Sequence, residues 1–292
     1  MADLRDILST GRAVRSIEIW PARNAKQAEH LGELLSYLPE VKPDFISVTY
    51  GALGSTRERS IEMVKDLILA GFNVVAHLAC LGHTRDELVA LIRYLEGLGV
   101  SGILALRGDS PIDAPELANA PELCHAIDLV ELVRLESDLA VAVALHPDGH
   151  PESPDPKFDL ERALEKLSLA DLGVTQFFFE FPRFDFLLKY FGSLGIEVPI
   201  LPGFMIPGSP RQLERMSQMA ALDLPESLVE AAGPDGPATF ERVATSLTLG
   251  LAEQSLAAGA RGLHLFSMNS KEAVRLFMSN FPPAPVGDPR SL

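Results

Sequence analysis

ValArgSerIleGluIleTrp (14–20) is an apolar, β-branched run of strand length. The residues after it settle the architecture. Instead of a Gly-rich phosphate turn the chain continues ProAlaArgAsn (21–24), then a 3.6-residue apolar period over Ala25–Leu38, then a second strand-like run at Phe45–Tyr50. Strand, helix, strand in that order is the unit of a parallel sheet. Further apolar runs occur at Asn73–Leu78, Gly102–Leu106, Ala140–His146, Val174–Phe179, Val198–Leu201 and Gly262–Phe266, which makes eight. Helical periodicity separates them at Ser60–Leu69, Arg85–Leu98, Glu122–Leu135, Leu160–Ala170, Arg211–Met219 and Ala238–Ala257. Eight units in roughly 250 to 300 residues predict an α/β fold of the (β/α)8 TIM-barrel type. A doubly wound open sheet is the competing architecture, but there is no GxGxxG and no Walker loop. Residues 1–292 are expected to form one barrel domain, with a loop at Ala232–Pro237 between two helices and an irregular Pro-rich tail from about residue 282.

The 292 residues carry 25 Lys+Arg against 40 Asp+Glu, a formal net charge of −15, and 47% are hydrophobic. Such a chain has ample material for a core, and it lacks the clustered cations that drive association with nucleic acid or anionic membranes. Two cysteines, Cys80 and Cys124, cannot form a disulfide framework and fit a reducing compartment. The opening residues lack an apolar signal core, and no later run reaches the ~18 apolar residues of a spanning helix. A cytoplasmic protein is expected, with its oligomeric state left open.

In a barrel of this kind the chemistry sits at strand C-termini. The polar residues there are Glu18, Tyr50, His77, Arg107 with Asp109, His146, Gln176, Glu180 and His264. Glu18 lies in an otherwise apolar run, where an ionised carboxylate is costly unless paired. Enclosure by Ile17, Ile19 and Trp20 predicts a raised pKa, as a general acid requires, while a glutamate that reaches water is the bland alternative. ArgGlyAsp (107–109) directly follows a strand, although a solvated turn uses Gly-Asp equally well. Gln176 must satisfy its amide, either on a heterocycle such as a pterin or on a neighbouring strand. His146 and His150 have a ligand-like spacing, and His77 and His264 also end strands. A metal-dependent hydrolase on this barrel usually has a His-x-His pair on its first strand, where this chain has Glu-Ile-Trp, so no metal is expected.

Six segments together resemble methylenetetrahydrofolate reductase: SerIleGluIleTrpProAlaArg (16–23), SerValThrTyrGlyAlaLeuGlySerThrArgGluArg (47–59), HisLeuAlaCys (77–80), LeuAlaLeuArgGlyAsp (104–109), HisProAspGlyHisProGlu (146–152) and ThrGlnPhePhePhe (175–179). Their order and spacing match from about residue 14 to about residue 270. The resemblance implies a (β/α)8 barrel that reduces 5,10-methylenetetrahydrofolate to 5-methyltetrahydrofolate with NADH or NADPH. It makes Glu18 the general acid, Asp109 the carboxylate beside the pterin and Gln176 a pterin-binding amide. Tyr50 and Phe178 are further expected folate contacts, and His77, Arg107, His146 and His150 are expected at the nicotinamide. N10 must be protonated before the ring opens to an N5-iminium, and the cation then favours a nearby anion.

Departures from the family pattern concentrate where FAD ordinarily lies. An aromatic is usual at the position of His146 and near His125, and at Pro210; an arginine is common at Ser270. The helix LeuGluArgAlaLeuGluLys (160–166) carries Glu161 and Glu165, expected to repel a pyrophosphate. The folate half of the site therefore reads as retained and the flavin half as eroded, which favours direct hydride transfer from the nicotinamide. The alternatives are the same reductase with FAD reached by Arg162, Lys166 and His125, a folate-binding subunit without turnover, and the metal hydrolase.

Overall fold

The computed structural model describes residues 1–50, 54–108, 122–233 and 236–282. Eight parallel strands close into a barrel: β1 (Val14–Ile19), β2 (Phe45–Val48), β3 (Val74–Ala79), β4 (Gly102–Leu106), β5 (Val141–Leu145), β6 (Leu172–Phe177), β7 (Ile200–Phe204) and β8 (Gly262–Phe266), with β8 pairing back onto β1. Around them run α2 (Ala25–Val41), α3 (Gly54–Leu69), α4 (Arg85–Leu98), α5 (Ala126–Glu136), α6 (Pro156–Ser168), α7 (Phe181–Ser193), α8 (Pro210–Ala220), α9 (Glu226–Ala231), α10 (Pro237–Ala257) and α11 (Lys271–Asn280), after a short N-terminal α1 (Leu4–Leu8). This is the (β/α)8 architecture expected above; α7, α9 and α11 lie outside the helical periods read from the sequence. No described helix is long and apolar enough to cross a membrane. The Pro-rich tail from residue 283 lies outside the described residues.

Local chemistry starts the helices on cue. Asn24 accepts from the Gln27 amide at the start of α2, Thr84 and Glu87 form a capping box on α4, and Asp155 and Ser209 cap α6 and α8. Alternation along each strand then sorts side chains into two layers. Outward residues such as Ile17, Ile19, Val74, Leu78, Val143 and Leu263 pack under the helices, each at most 1% exposed. Inward residues near the strand N-termini, including Val14, Phe45, Val75, Leu104 and Leu172, fill the barrel with Leu4 and Ile7 of α1 set against them. That layer closes the lower end. Inward positions further along include Glu18, His77, Gln176 and His264, so the polar groups gather at the C-terminal end of the barrel.

β6 and β7 depart most from the sequence expectation. β7 runs through Pro202 and Gly203, residues that oppose strand formation. Glycine is required at 203, because a Cβ there would overlap the Thr175 carbonyl oxygen, and the Gly203 amide donates to Thr175 Oγ1 at 2.9 Å. The β6–β7 register shifts between Val174 and Phe177. This irregularity determines which phenylalanine faces the ligand.

Candidate active site

A cavity of about 440 Å³ opens at the C-terminal end of the barrel, within the usual range for a small-molecule site. Glu18, Tyr50, His77, Arg107, His146, His150 and Gln176 all line it. Seven of the nine residues expected to bind or act on the reactants thus meet in one place. Asp109 lies outside the described residues. Its neighbour Gly108 is placed as the sequence suggests: it has φ +86°, and a Cβ there would come within 2.8 Å of the Ala79 Cβ.

Phe178 is the correction. Its ring is 2% exposed on the outer side of β6, stacked on Phe184 at 5.5 Å between centroids and tilted against Phe204. Strict alternation from Gln176 would turn residue 178 inward, but the irregularity in β6 brings Phe177 into the cavity wall beside Gln176 and leaves Phe178 in the helix layer. Gln176 Oε1 accepts from the Phe177 amide at 3.0 Å, which leaves the Nε2 hydrogens as what this side chain can offer a ligand.

Glu18 sits between three strand ends. Thr49 Oγ1 donates to its Oε1 at 2.8 Å, while His77 Nε2 and His264 Nε2 stand 3.8 and 4.0 Å from its Oε2. His264 is anchored from behind by Ser16, whose Oγ lies 2.8 Å from Nδ1. Burial pushes the Glu18 pKa up, the His264 and His77 rings and the Thr49 hydroxyl pull it down, and the pull prevails. The expected rise is therefore reversed, and the reason is geometric. Ile17 and Ile19 point outward to the helices, so the carboxylate meets polar groups rather than an apolar shell. Burial lowers the pKa of His77, against the opposing charge of Glu18. His77 thus belongs to the glutamate rather than to the outer cavity, and its Nε2 has no hydrogen-bond partner among the described residues.

The outer cavity holds the remaining expected contacts. The rings of His146 and His150 meet edge to face at 4.7 Å, and burial, reinforced by His150 and Lys166, drives the His146 pKa down to about 3. Arg107 makes a two-point ion pair with Glu152, with Nη2 to Oε1 at 2.9 Å. Glu161 and Glu165 do not face the cavity. They lie on the exposed side of α6, paired with Lys157 and Arg162, so the repulsion inferred from the sequence is absent; the residue of that helix that does line the cavity is Lys166. Lys166 Nζ donates to the Ala144 carbonyl at 2.7 Å, and Arg57 Nη2 donates to the Gly82 carbonyl at 3.2 Å. Arg57, Arg107 and Lys166, the cations of the described cavity wall, are therefore all engaged with protein groups, and the neutral His146 adds no charge. A diphosphate bound there would have to share these cations with their protein partners. Among the described residues no group of three or more His, Cys, Asp or Glu could hold a metal ion.

Residues 3–282 match the family model for methylenetetrahydrofolate reductase. The chain belongs to the methylenetetrahydrofolate reductase family. It is an NAD(P)H-dependent oxidoreductase of that family. It is 30% identical over 261 residues to the 5,10-methylenetetrahydrofolate reductase of Salmonella typhimurium and 29% identical to that of Escherichia coli, matches that cover 88% of this chain and 86% of each relative. Among solved structures, a Clostridium thermocellum protein that binds two copies of 5-methyl-5,6,7,8-tetrahydrofolic acid has a TM-score of 0.66 at 14% identity, covering 94% of this chain and 96% of that one. That likeness is one of fold. Sequence reasoning missed Thr49 and Trp20 in the cavity wall and Ser16 behind it, and left His264 without a role. Thr49 was within a quoted motif, but only the barrel brings β1, β2, β3 and β8 around one carboxylate.

Proposed function

We propose that this reductase converts 5,10-methylenetetrahydrofolate to 5-methyltetrahydrofolate by hydride transfer directly from NADH, with no flavin between them. The observation that carries the reading is Glu18, a carboxyl group inside the barrel with a hydrogen-bonding neighbour at the end of β2 and titratable neighbours on β3 and β8. A folate pocket without turnover has no use for a proton donor at that depth. In the proposed reaction Glu18 gives its proton to N10, the N10–methylene bond breaks, and the methylene carbon becomes an N5-iminium. Hydride from C4 of the dihydronicotinamide then reduces that carbon to the methyl group, leaving NAD⁺. Asp109 is assigned as the anion that favours the iminium, and the Nε2 of Gln176 as a donor to the pterin.

The bonding of the cavity's cations supports the direct route over a flavin carrier. Arg57, Arg107 and Lys166 are already bonded to Gly82, Glu152 and Ala144, and His146 is held neutral. The folate-binding neighbour from Clostridium thermocellum supports a folate in this type of barrel. The test is an absorbance spectrum of the purified protein followed by NADH oxidation with and without methylenetetrahydrofolate. Colourless protein that oxidises NADH only when folate is present is the expected result. Flavin absorbance that NADH bleaches without folate would restore the flavoenzyme.

A further inference from the structure

Trp20 is the only tryptophan of the chain, and it lines the cavity. Along β1 the inward positions are Ser16, Glu18 and then Trp20, just past the strand end. At a rise of about 3.3 Å per residue, Trp20 stands roughly 6–7 Å beyond Glu18 toward the cavity mouth and on the same face.

The β1–β8 ladder ends at Glu18 and Phe266, yet the backbone of Trp20 is not loose. Asn269, 3% exposed, accepts from the Trp20 amide through Oδ1 at 3.1 Å and donates from Nδ2 to the Trp20 carbonyl at 2.8 Å. One side chain thus supplies both backbone bonds that a continuing strand would have made. Ser267 Oγ donates to the Glu18 carbonyl at 2.5 Å and accepts from the Asn269 amide at 3.1 Å. To reach this position the turn holds two successive non-glycine residues, Met268 and Asn269, at φ 53° and 54°. Left-handed backbone at a non-glycine residue is unfavourable and persists only where the surroundings enforce it. Here it brings the Asn269 amide onto β1 and Met268 into the cavity wall.

We propose that Trp20 is the stacking surface for the p-aminobenzoyl ring of the folate and that Asn269 is the residue that positions it. The inference rests on Glu18 acting at N10. N10 is bonded directly to that ring, so a folate placed with N10 at Glu18 carries the ring outward along the face where Trp20 stands. Offset stacking of two aromatic rings adds about 0.5–1.5 kcal/mol beyond burial, equivalent to ~2- to 12-fold in affinity.

The test uses the intact protein and the fluorescence of Trp20 during titration with 5-methyltetrahydrofolate, corrected for ligand absorbance and run beside calorimetry. Binding heat accompanied by quenching is expected. Trp20→Leu is expected to raise the folate KM ~2- to 12-fold without moving the NADH KM, and Trp20→Phe to recover most of the loss. Asn269→Ala retains the indole and is expected to red-shift its emission while raising the folate KM in the same range. Binding heat with no change in Trp20 emission, or a Trp20→Leu variant whose two KM values rise together, overturns the assignment. Absence of binding heat would instead sink the folate reading on which it depends.

Discussion

Glu18 carries a proton-transfer role in an environment that favours its ionised form, and this shapes what its replacement should do. Because its pKa is pulled below the usual glutamate range, the acid form becomes scarcer as pH rises, so kcat/KM is expected to fall with increasing pH. Glu18→Gln keeps the volume and an acceptor for Thr49 but cannot deliver an acidic proton. Turnover is expected to drop ~10²-fold or more, with the pH dependence flattened and folate affinity nearly unchanged. Steady-state rates across pH 6 to 9 check this, and activity within a few-fold of wild type would remove Glu18 from the mechanism. Gln176 permits a paired comparison. Gln176→Leu loses both the acceptor used by the Phe177 amide and the donors offered to the pterin, whereas Gln176→Glu keeps the acceptor, loses the donors and adds a charge. Both should weaken folate binding by about 1–3 kcal/mol in calorimetry, and only the leucine variant should also lower the melting temperature. Unchanged folate affinity in both would leave Gln176 a purely structural role.

At the scale of elements, the end of β5 is where charge and burial conflict. His146 has its pKa driven from 6.5 to about 3 by burial, then by the neighbouring His150 and Lys166. Below pH 6.5 the unfolded chain takes a proton that the folded chain refuses until about pH 3. The contribution of this ring to stability is therefore complete above pH 6.5 and shrinks as pH falls through that window. His146→Phe keeps a planar ring and removes the titration. Urea midpoints at pH 7.5 and pH 5 are expected to differ less in this variant than in wild type, and an equal loss in both would place the acid sensitivity elsewhere. β6 shows a different limit of element-level reading. ThrGlnPhePhePhe is legible as a strand bearing a polar residue, but which phenylalanine faces inward depends on the shifted pairing with β7, where Gly203 lets the two backbones approach.

For the whole molecule, the placement of one cavity at one end of a closed barrel has a kinetic consequence. The opposite end is filled by α1 and the lower layer of apolar side chains, so both reactants of the direct route must share the upper cavity. Hydride transfer then requires a ternary complex. Double-reciprocal plots against NADH at several folate concentrations are expected to intersect, because parallel lines require a carrier that stays on the enzyme between half-reactions. Parallel lines would refute direct transfer while leaving the reductase assignment intact.

The sequence by itself determined the fold, since eight apolar runs alternating with helical periods leave few ways to bury all of them except a closed parallel sheet. Its six motifs also pointed to the family and to Glu18, Gln176 and the histidines, because residue type at a strand C-terminus is a local property. What only the tertiary structure decided is relational. Glu161 and Glu165 read as cavity residues until the helix phase turned them to solvent and brought Lys166 inward. Phe177 replaced Phe178 through a register shift set by a neighbouring strand. The pKa of Glu18 moved down rather than up because Thr49, just past β2, His77 of β3 and His264 of β8 are brought to it from 31, 59 and 246 positions away in the chain. Electrostatics depends on distances through space, and closing the barrel is what sets them.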